Sequence, residues 1–227
     1  YAINCKVTAV MRGLFITFEG GEGSGKTTQI QQLKNWIEFK MDSVNLCLTR
    51  EPGGTTEAES IRALLLNGAA SKWQPATEAM MMSASRHEHV VHVIKPALAR
   101  GDIVICDRFI DSTHVYQGYV GGVDNALLNG LDQLSCQGLV PDLTLLLDIN
   151  SNAGLARTIQ RGNAESRFES KGAAFHHKVR QGFVERAEKY PDRIAKIDAA
   201  RPADAVTMDV IIAVRALLVA KGMIAAS

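Results

Sequence analysis

Gly20-Gly21-Glu22-Gly23-Ser24-Gly25-Lys26-Thr27 follows the apolar run Leu14–Phe18 and matches the pattern G-x-x-x-x-G-K-[ST]. Glycines in such a loop let backbone N–H groups turn toward a polyphosphate, while Lys26 reaches the outer phosphates and the Thr27 hydroxyl is suited to hold Mg²⁺. A helix is expected from Thr27 to about Phe39. Strand, loop and helix in this order predict a binding loop for ATP or GTP. The alternative is a glycine turn without a ligand.

The spacing of apolar runs predicts an α/β protein with a five-stranded parallel sheet. Short apolar runs alternate with helical lengths, which is typical of βαβ units. The expected strands are Leu14–Phe18, Val44–Thr49, Ile103–Cys106, Leu143–Ile149 and Ile194–Ile197. Helices should cover both faces of this sheet, and a ligand is expected at the carboxyl ends of the strands.

The composition indicates one globular domain. The chain has 227 residues, of which 46% are hydrophobic and 22% charged, with a formal net charge of +1. This size supports one well-filled core, and the near-neutral charge provides no large field to hold nucleic acid or an anionic membrane. The longest apolar segment, Val210–Ala220, is interrupted by Arg215 and is expected to be a buried helix rather than a membrane span. We expect one domain over 11–227, preceded by an extension over 1–10 that is non-native or disordered.

Neither the cysteines nor the histidines have the spacing of a metal site. The four cysteines stand singly, so we expect free core thiols at Cys47 and Cys106 and a reducing, cytoplasmic location. His89 and His92 lie three residues apart on an expected helix, without an acidic or cysteine partner at ligand spacing. We therefore interpret the six histidines as surface residues. They are His87, His89, His92, His114, His176 and His177.

Charged residues follow two of the expected strands. Asp107 stands where an acid usually lies beside the metal and phosphates of a phosphate-loop site, although a helix cap or a surface aspartate is the alternative. Arg108 comes next, and Arg50 has the equivalent place after the second strand, before a tight turn at Pro52. Two arginines opposite a nucleotide predict a second anionic substrate. The alternative is that each arginine pairs with a structural carboxylate.

A third group of cations surrounds a polar segment. Arg157 and Arg161 lie four residues apart and share a helix face, and Arg167 follows within the polar stretch Gly162–Gly172. A solvated helix surface explains this spacing as well as mobile cations for phosphoryl transfer do. Residues 157–172 are therefore a candidate lid.

Five motifs together resemble the bacterial thymidylate kinase family of the lid-arginine type. They are Gly20–Thr27, Arg50-Glu51-Pro52-Gly53-Gly54-Thr55, Asp107-Arg108-Phe109, Tyr116-Gln117-Gly118 and Pro141-Asp142-Leu143-Thr144. Only the first is specific by itself, but their order and spacing over the chain from about Met11 are highly specific. The resemblance implies a P-loop nucleoside-monophosphate kinase fold with a short lid, and a homodimer. It further implies transfer of the γ-phosphoryl group of Mg-ATP to dTMP, which gives dTDP and ADP in dTTP synthesis.

The resemblance also implies roles for individual residues. The loop Gly20–Thr27 binds ATP, and the catalytic cations are Lys26, Arg108 and the lid residue Arg161, with Arg157 and Arg167 in support. The residues implied for dTMP are Arg50 and Arg108 at its phosphate, Glu22 near its 3′-hydroxyl, Arg86 at a thymine carbonyl, Met82, Thr113 and Gln117 around the base, and Tyr116 at the 2′ position. The residues implied for Mg²⁺ are Thr27, Glu19 and Asp107.

The chain departs from the family pattern at three places. Met82 stands where phenylalanine commonly stacks on thymine, and Gly121 replaces an arginine after Tyr-Gln-Gly. The segment Gly162–Arg167 is one residue longer than usual, with Ser166 in place of aspartate. Two other functions compete with a dTMP kinase: a kinase for a different monophosphate, and a nucleotide-binding regulatory module without an acceptor. The strand-end arginines disfavour the module, because a simple switch needs no second anion site.

Overall fold

The computed structural model describes residues 12–41, 44–69, 71–160 and 171–225. Its sheet has five parallel strands, each within two residues of the predicted bounds, so the predicted sheet is confirmed. The strands are β1 Phe15–Glu19, β2 Leu46–Arg50, β3 Ile103–Asp107, β4 Leu143–Asp148 and β5 Ile194–Asp198. They lie in the order β2-β3-β1-β4-β5, which places β1 and the loop that follows it at the centre.

Helices connect the strands and cover both faces of the sheet. They are α1 Lys26–Lys40, α2 Thr56–Leu66, α3 Pro75–His89, α4 Lys95–Ala99, α5 Ile110–Thr113, α6 Asn125–Cys136, α7 Ser151–Gln160, α8 Ala173–Lys189 and α9 Ala203–Ala220. Two π-helical segments, Val90–Ile94 and His114–Val120, continue α3 and α5 respectively. Helix α1 begins one residue earlier than predicted, at Lys26 inside the phosphate-loop motif.

The first π-helical segment ends two residues before Pro96. A proline lacks the backbone N–H, and its ring collides with the carbonyl four residues earlier, so a regular α-helix is disfavoured at this point. The Lys95 N–H donates to the Val90 carbonyl, five residues back. This wider turn lets the helical chain continue from α3 into α4.

The core lies on both faces of the sheet because successive strand residues point to opposite sides. On one face Phe18 packs in a cluster with Leu33 of α1 and Val210 of α9. On the other face Phe15 packs with Ala97 of α4, and a neighbouring cluster includes Val179 of α8. The central strand β1 is fully buried, which fixes the position of the following loop at the edge of the sheet.

Some expectations about burial need correction. Helix α9 is buried only along the stripe that contains Val210, while Ile212 is 61% exposed, so the prediction of a buried helix over Val210–Ala220 is wrong for its outer face. Cys106 is a buried free thiol, as expected, and burial raises its pKa well above the ordinary value. Cys47 is also free but only half-buried.

The extension over 1–10 and lid residues 161–170 lie outside the described residues, and one domain over 11–227 stays a prediction. In the part of the chain that is described, no helix combines the length and the apolar character needed to cross a membrane.

Candidate active site

The phosphate loop connects β1 to α1 and is packed against α7. Gly23 has a φ of 67°, and a Cβ atom at this position would lie 2.0 Å from the carbonyl oxygen of Gly154. Only glycine fits such a left-handed conformation and such a close approach without strain. Lys26 is buried, and its Nζ donates to the carbonyl oxygens of Gly20 and Gly21 at 3.2 and 3.3 Å. Burial lowers the pKa of this ammonium group.

A cleft opens beside the loop at the carboxyl ends of β2 and β3. Its walls come from the phosphate loop, the β2–α2 turn, α2, α3 and the segment after β3. The lining residues are Glu22, Arg50, Glu51, Pro52, Arg62, Leu66, Met82, Arg86, Asp107, Arg108, Phe109, Ser112, Thr113, Tyr116 and Gln117. The structure thus brings all eight side chains implied for dTMP to one cleft.

Arg108 joins the cleft to the phosphate loop. Its Nη1 donates to the Gly20 carbonyl oxygen and to Ser112 Oγ, and its Nη2 donates to Glu22 Oε1, each at 3.1 Å. The guanidinium group also lies over the Tyr116 ring, 5.4 Å from its centroid. Burial disfavours its charge, but Tyr116 and the surrounding carboxylates raise its pKa above the ordinary value. Arg108 is therefore a fixed cation at the junction of two candidate anion sites.

The backbone of Arg108 is unusual for a residue with a side chain. Its φ is 68°, in the left-handed region that non-glycine residues rarely adopt. Such conformations cost about 1 to 3 kcal/mol and persist where surrounding contacts over-determine them. The Arg108 N–H donates to the Phe18 carbonyl of β1 at 2.9 Å, which ties this turn to the sheet.

Arg50 reaches the cleft from the neighbouring strand end. Its Nη2 contacts both carboxylate oxygens of Glu59, at 2.9 and 3.1 Å, and its side chain is 53% exposed. Pairing with a carboxylate was the structural alternative for this arginine, and that pair is present. The pair nevertheless borders the cleft, and a solvent-exposed ion pair of this kind is worth only about 0 to 1 kcal/mol.

The far end of the cleft contains the residues implied for a base. Arg86 is buried, and its Nη2 donates to Thr113 Oγ1 at 2.8 Å. Gln117 Nε2 donates to Glu78 Oε2 at 2.9 Å, and Met82 borders the same space from α3. This set of groups matches a nucleobase. The polar atoms suit its carbonyl and N–H groups, and the thioether suits its flat apolar face.

The three residues implied for Mg²⁺ differ in their availability. Glu19 Oε1 accepts hydrogen bonds from the Phe109 and Ser112 N–H groups at 2.9 and 3.1 Å, and Oε2 accepts from Ser112 Oγ at 2.6 Å. Burial, followed by the charge of Asp111, raises the pKa of Glu19 to about 7. This carboxylate therefore holds the start of α5 in place and lacks the free charge of a direct metal ligand.

Asp107 and Thr27 fit a magnesium ion better. Asp107 Oδ1 is buried and has no hydrogen-bond partner among the residues that the structure describes. Thr27 is exposed at the first turn of α1, beside the phosphate loop. Within the described ranges no cluster of three His, Cys, Asp or Glu forms a protein cage for a metal. Mg²⁺ needs none, because it keeps several waters and takes phosphate oxygens as ligands.

Of the three lid cations, one lies within the described residues. Arg161 and Arg167 lie outside the described residues. Arg157 is described, and its Nη1 donates to the Ala199 carbonyl oxygen at 3.2 Å, away from the residues that line the cleft. In this structure Arg157 supports the turn between β5 and α9.

The interpretation of the histidines as surface residues is wrong for three of them. His89, His114 and His176 are buried. His89 contacts Glu51 and Thr49, and His114 Nε2 lies 2.8 Å from Asp132 Oδ2. For His89 and His114, polar partners from other elements bind ring nitrogens and allow burial, whereas His176 Nε2 has no hydrogen-bond partner among the described residues.

Sequence reasoning also assigned no role to several residues of the cleft wall, among them Arg62 and Ser112. Arg62 on α2 donates from Nη1 to the Pro52 carbonyl oxygen at 2.7 Å, and Ser112 contacts both Glu19 and Arg108. The sequence could have indicated Ser112, because this residue lies four residues after the Asp107-Arg108 pair. No sequence pattern indicated Arg62, which is a lone arginine in the middle of a helix.

The sheet order, the phosphate loop and the adjoining cleft define the P-loop nucleoside-monophosphate kinase fold. Comparison with known proteins identifies one family within this class. The family model for thymidylate kinase matches residues 18–210. The chain belongs to the thymidylate kinase family.

Individual relatives agree with this assignment. A thymidylate kinase from Caulobacter vibrioides is 50% identical over 196 residues, which cover 86% of this chain and 93% of that protein. A thymidylate kinase from Magnetococcus marinus is 47% identical over 192 residues, which cover 85% and 90% respectively. The crystal structure of thymidylate kinase from Ehrlichia chaffeensis superposes with a TM-score of 0.73 at 36% identity, covering 89% of this chain and 99% of that one.

Proposed function

We propose that this chain transfers the γ-phosphoryl group of ATP to dTMP, giving dTDP and ADP. One observation carries the proposal beyond family membership. Arg108 contacts both the Gly20 carbonyl of the phosphate loop and Glu22 at the cleft, so a single fixed cation adjoins the donor and the acceptor sites. This arrangement suits phosphoryl transfer, because its catalysis consists mainly of positioning and of neutralising charge on the transferred group.

The donor is held by the loop Gly20–Thr27. Backbone N–H groups of the loop and the start of α1 face the phosphates, and Lys26 moves from the Gly20 and Gly21 carbonyls to the outer phosphate oxygens. Thr27 and Asp107 would hold Mg²⁺, with Glu19 acting through water, and the ion would neutralise charge on the phosphates.

The acceptor lies in the cleft. Arg50 and Arg108 bind its phosphate, Arg86, Thr113 and Gln117 contact the base, Met82 covers the ring, and Tyr116 and Glu22 border the sugar. An ionised phosphate oxygen is already a competent nucleophile, so the site needs no general base. Arg161 of the candidate lid neutralises charge on the transferred group, with Arg167 as a supporting cation.

Two further proposals concern the whole protein. We propose a homodimer. The helices α3 and α6 pack against each other, and both carry exposed apolar side chains. These are Met80, Leu127 and Leu134. We also propose a cytoplasmic location, supported by the free thiols at Cys47, Cys106 and Cys136.

The acceptor is tested by measuring ADP release from Mg-ATP with dTMP, dUMP, dCMP, dGMP and AMP at equal concentrations. A strong preference for dTMP is the expected result. Rapid turnover of another monophosphate with none of dTMP would contradict the proposed acceptor. ADP release that is independent of any monophosphate would favour the regulatory module.

A further inference from the structure

A buried carboxylate lines the base end of the cleft. Glu51, the first residue after β2, places Oε2 2.8 Å from Arg86 Nε and Oε1 3.1 Å from His89 Nδ1. All three side chains are almost fully buried. Glu51 Oε2 thus accepts from Arg86, which borders the cleft, and Oε1 contacts His89, which does not border it.

The imidazole of His89 lies inside the turn that carries Glu51. Its Nε2 lies 2.6 Å from Thr49 Oγ1, at the start of the turn. At the end of the turn, Gly54 has a φ of 99°, and a Cβ atom there would lie 2.3 Å from His89 Cδ2. Because an ionised carboxylate only accepts hydrogen bonds, His89 Nδ1 is the donor to Glu51.

The guanidinium group of Arg86 is fixed on three sides. Nε donates to Glu51, Nη2 donates to Thr113 Oγ1 at 2.8 Å, and the Phe109 ring centroid lies 5.2 Å from the Arg86 Cζ. Nη1 has no hydrogen-bond partner in the described part of the chain, although Asp132 Oδ1 lies 3.7 Å away. A planar group held through Nε and Nη2 has its third nitrogen, Nη1, fixed in direction.

His89 decides how Glu51 binds Arg86. A carboxylate that is free to rotate prefers to engage an arginine with both oxygens. Here His89 Nδ1 occupies Oε1, so Glu51 contacts Arg86 through Oε2 alone and leaves Nη2 to Thr113. Without that donor, both Glu51 oxygens would turn to Arg86 and draw it away from the cleft.

We propose that His89 is a positioning residue of the acceptor site, which holds Glu51 so that the Arg86 guanidinium group keeps its orientation at the base end of the cleft. This inference rests on the proposed function. His89 acts through Glu51 and touches neither substrate.

Two amide variants separate this role from simple packing. His89→Asn places an amide N–H near the position of Nδ1 and keeps the donor to Glu51, whereas His89→Gln reaches the position of Nε2 and keeps only the contact with Thr49. We expect KM for dTMP to rise about tenfold or more in His89→Gln and to stay within about twofold in His89→Asn, with KM for ATP unchanged in both. A packing role predicts the reverse order, because asparagine leaves the larger cavity.

A double variant gives a second test if either amide variant folds poorly. In a Glu51→Gln background, His89→Gln should raise KM for dTMP no further, because the two residues act in series. Additive effects would overturn the proposal, and so would an unchanged KM in His89→Gln or an equal rise in His89→Asn.

A measurement without substrate distinguishes failure of this inference from failure of the proposed function. Crystal structures of the substrate-free proteins should show Arg86 Nη2 at Thr113 Oγ1 in the parent and in His89→Asn, and turned to Glu51 in His89→Gln. The same Arg86 contacts in all three proteins would overturn the inference. If the parent does not phosphorylate dTMP, the proposed function fails, and these structures still test the role of His89.

Discussion

At the scale of single residues, the site depends on charged groups that are buried and yet satisfied. The pKa of Glu22 shows the balance: burial acts to raise it, but the charges of Arg108 and Lys26 lower it below the ordinary value. Glu22 therefore stays ionised at neutral pH and holds Arg108 by an ion pair of 3.1 Å. A fixed ion pair beside the phosphate loop keeps the cation in place before any nucleotide binds.

Glu19 gives a prediction about pH. Its pKa is raised from 4.5 to about 7, so the folded protein binds this proton more tightly than the unfolded chain does. The free energy of unfolding should therefore fall as pH rises from about 5 to 8, by an amount on the order of 3 kcal/mol from this group. Glu19→Gln, which keeps an acceptor for the Phe109 and Ser112 N–H groups, should remove that fall in urea unfolding at the two pH values.

The matched control for Glu19 is the exposed Glu57 on α2. Glu57→Gln should leave the pH dependence of the unfolding free energy as it is in the parent. Asp111 and Glu22 have lowered pKa values, so their contributions change below this pH window. An identical fall in the parent and in Glu19→Gln would show that Glu19 is ionised throughout.

Met82 gives a prediction about the base. Met82→Phe adds a ring beside the expected position of thymine, and aromatic stacking is worth about 1 kcal/mol, so the Kd for dTMP should fall by up to about fivefold. Isothermal calorimetry measures this directly. Met208→Phe on the exposed face of α9 is the control and should leave Kd unchanged. A large rise in Kd for Met82→Phe would mean that the cleft is shaped around the thioether.

At the scale of elements, turns and caps hold the cleft open rather than bulk packing alone. Thr55 Oγ1 caps α2 by accepting from the Ala58 N–H at 3.1 Å, and Glu59 on the same helix accepts from the Gly54 N–H at 3.1 Å. The start of α2 is thus tied to the turn that carries Arg50. Any shift of this helix start moves one of the two arginines implied for the acceptor phosphate.

A cap remote from the cleft provides a stability prediction. Asp124 Oδ1 accepts from the Ala126 N–H at 2.7 Å and caps α6. Asp124→Ala should lower the free energy of unfolding by about 1 kcal/mol, while Asp124→Ser, which keeps a capping oxygen, should cost less. KM for dTMP should be the same in both variants and the parent. Equal stability of Asp124→Ala and the parent would show that water replaces the cap at no cost.

The sheet and the position of the site could be predicted from the sequence, but much of the wall of the site could not. Buried parallel strands are continuous apolar runs, and a polar residue directly after one of them must lie at the shared sheet edge, as Arg50 and Asp107 do. Arg62 and His89 come from helices, where no local pattern separates a cleft residue from a solvated one. The contact between Glu51 and His89 spans 38 residues, so only the fold brings them together.

At the scale of the whole molecule, the proposed dimer gives a prediction. Leu134 is 73% exposed on α6, and replacing it with lysine places a charge in an apolar contact, so Leu134→Lys should lower the sedimentation coefficient to that of a monomer. Phe39 on α1 is 79% exposed on the opposite side of the sheet, so Phe39→Lys is the control and should remain dimeric. A monomeric parent protein would contradict the dimer itself.

The central claim is that donor and acceptor nucleotides meet across Arg108. The most direct test is ³¹P NMR of the purified protein with Mg-ATP and dTMP, which distinguishes phosphoryl transfer from hydrolysis. We predict that dTDP and ADP form in equal amounts, without inorganic phosphate. Inorganic phosphate and ADP with dTMP unchanged would contradict the claim.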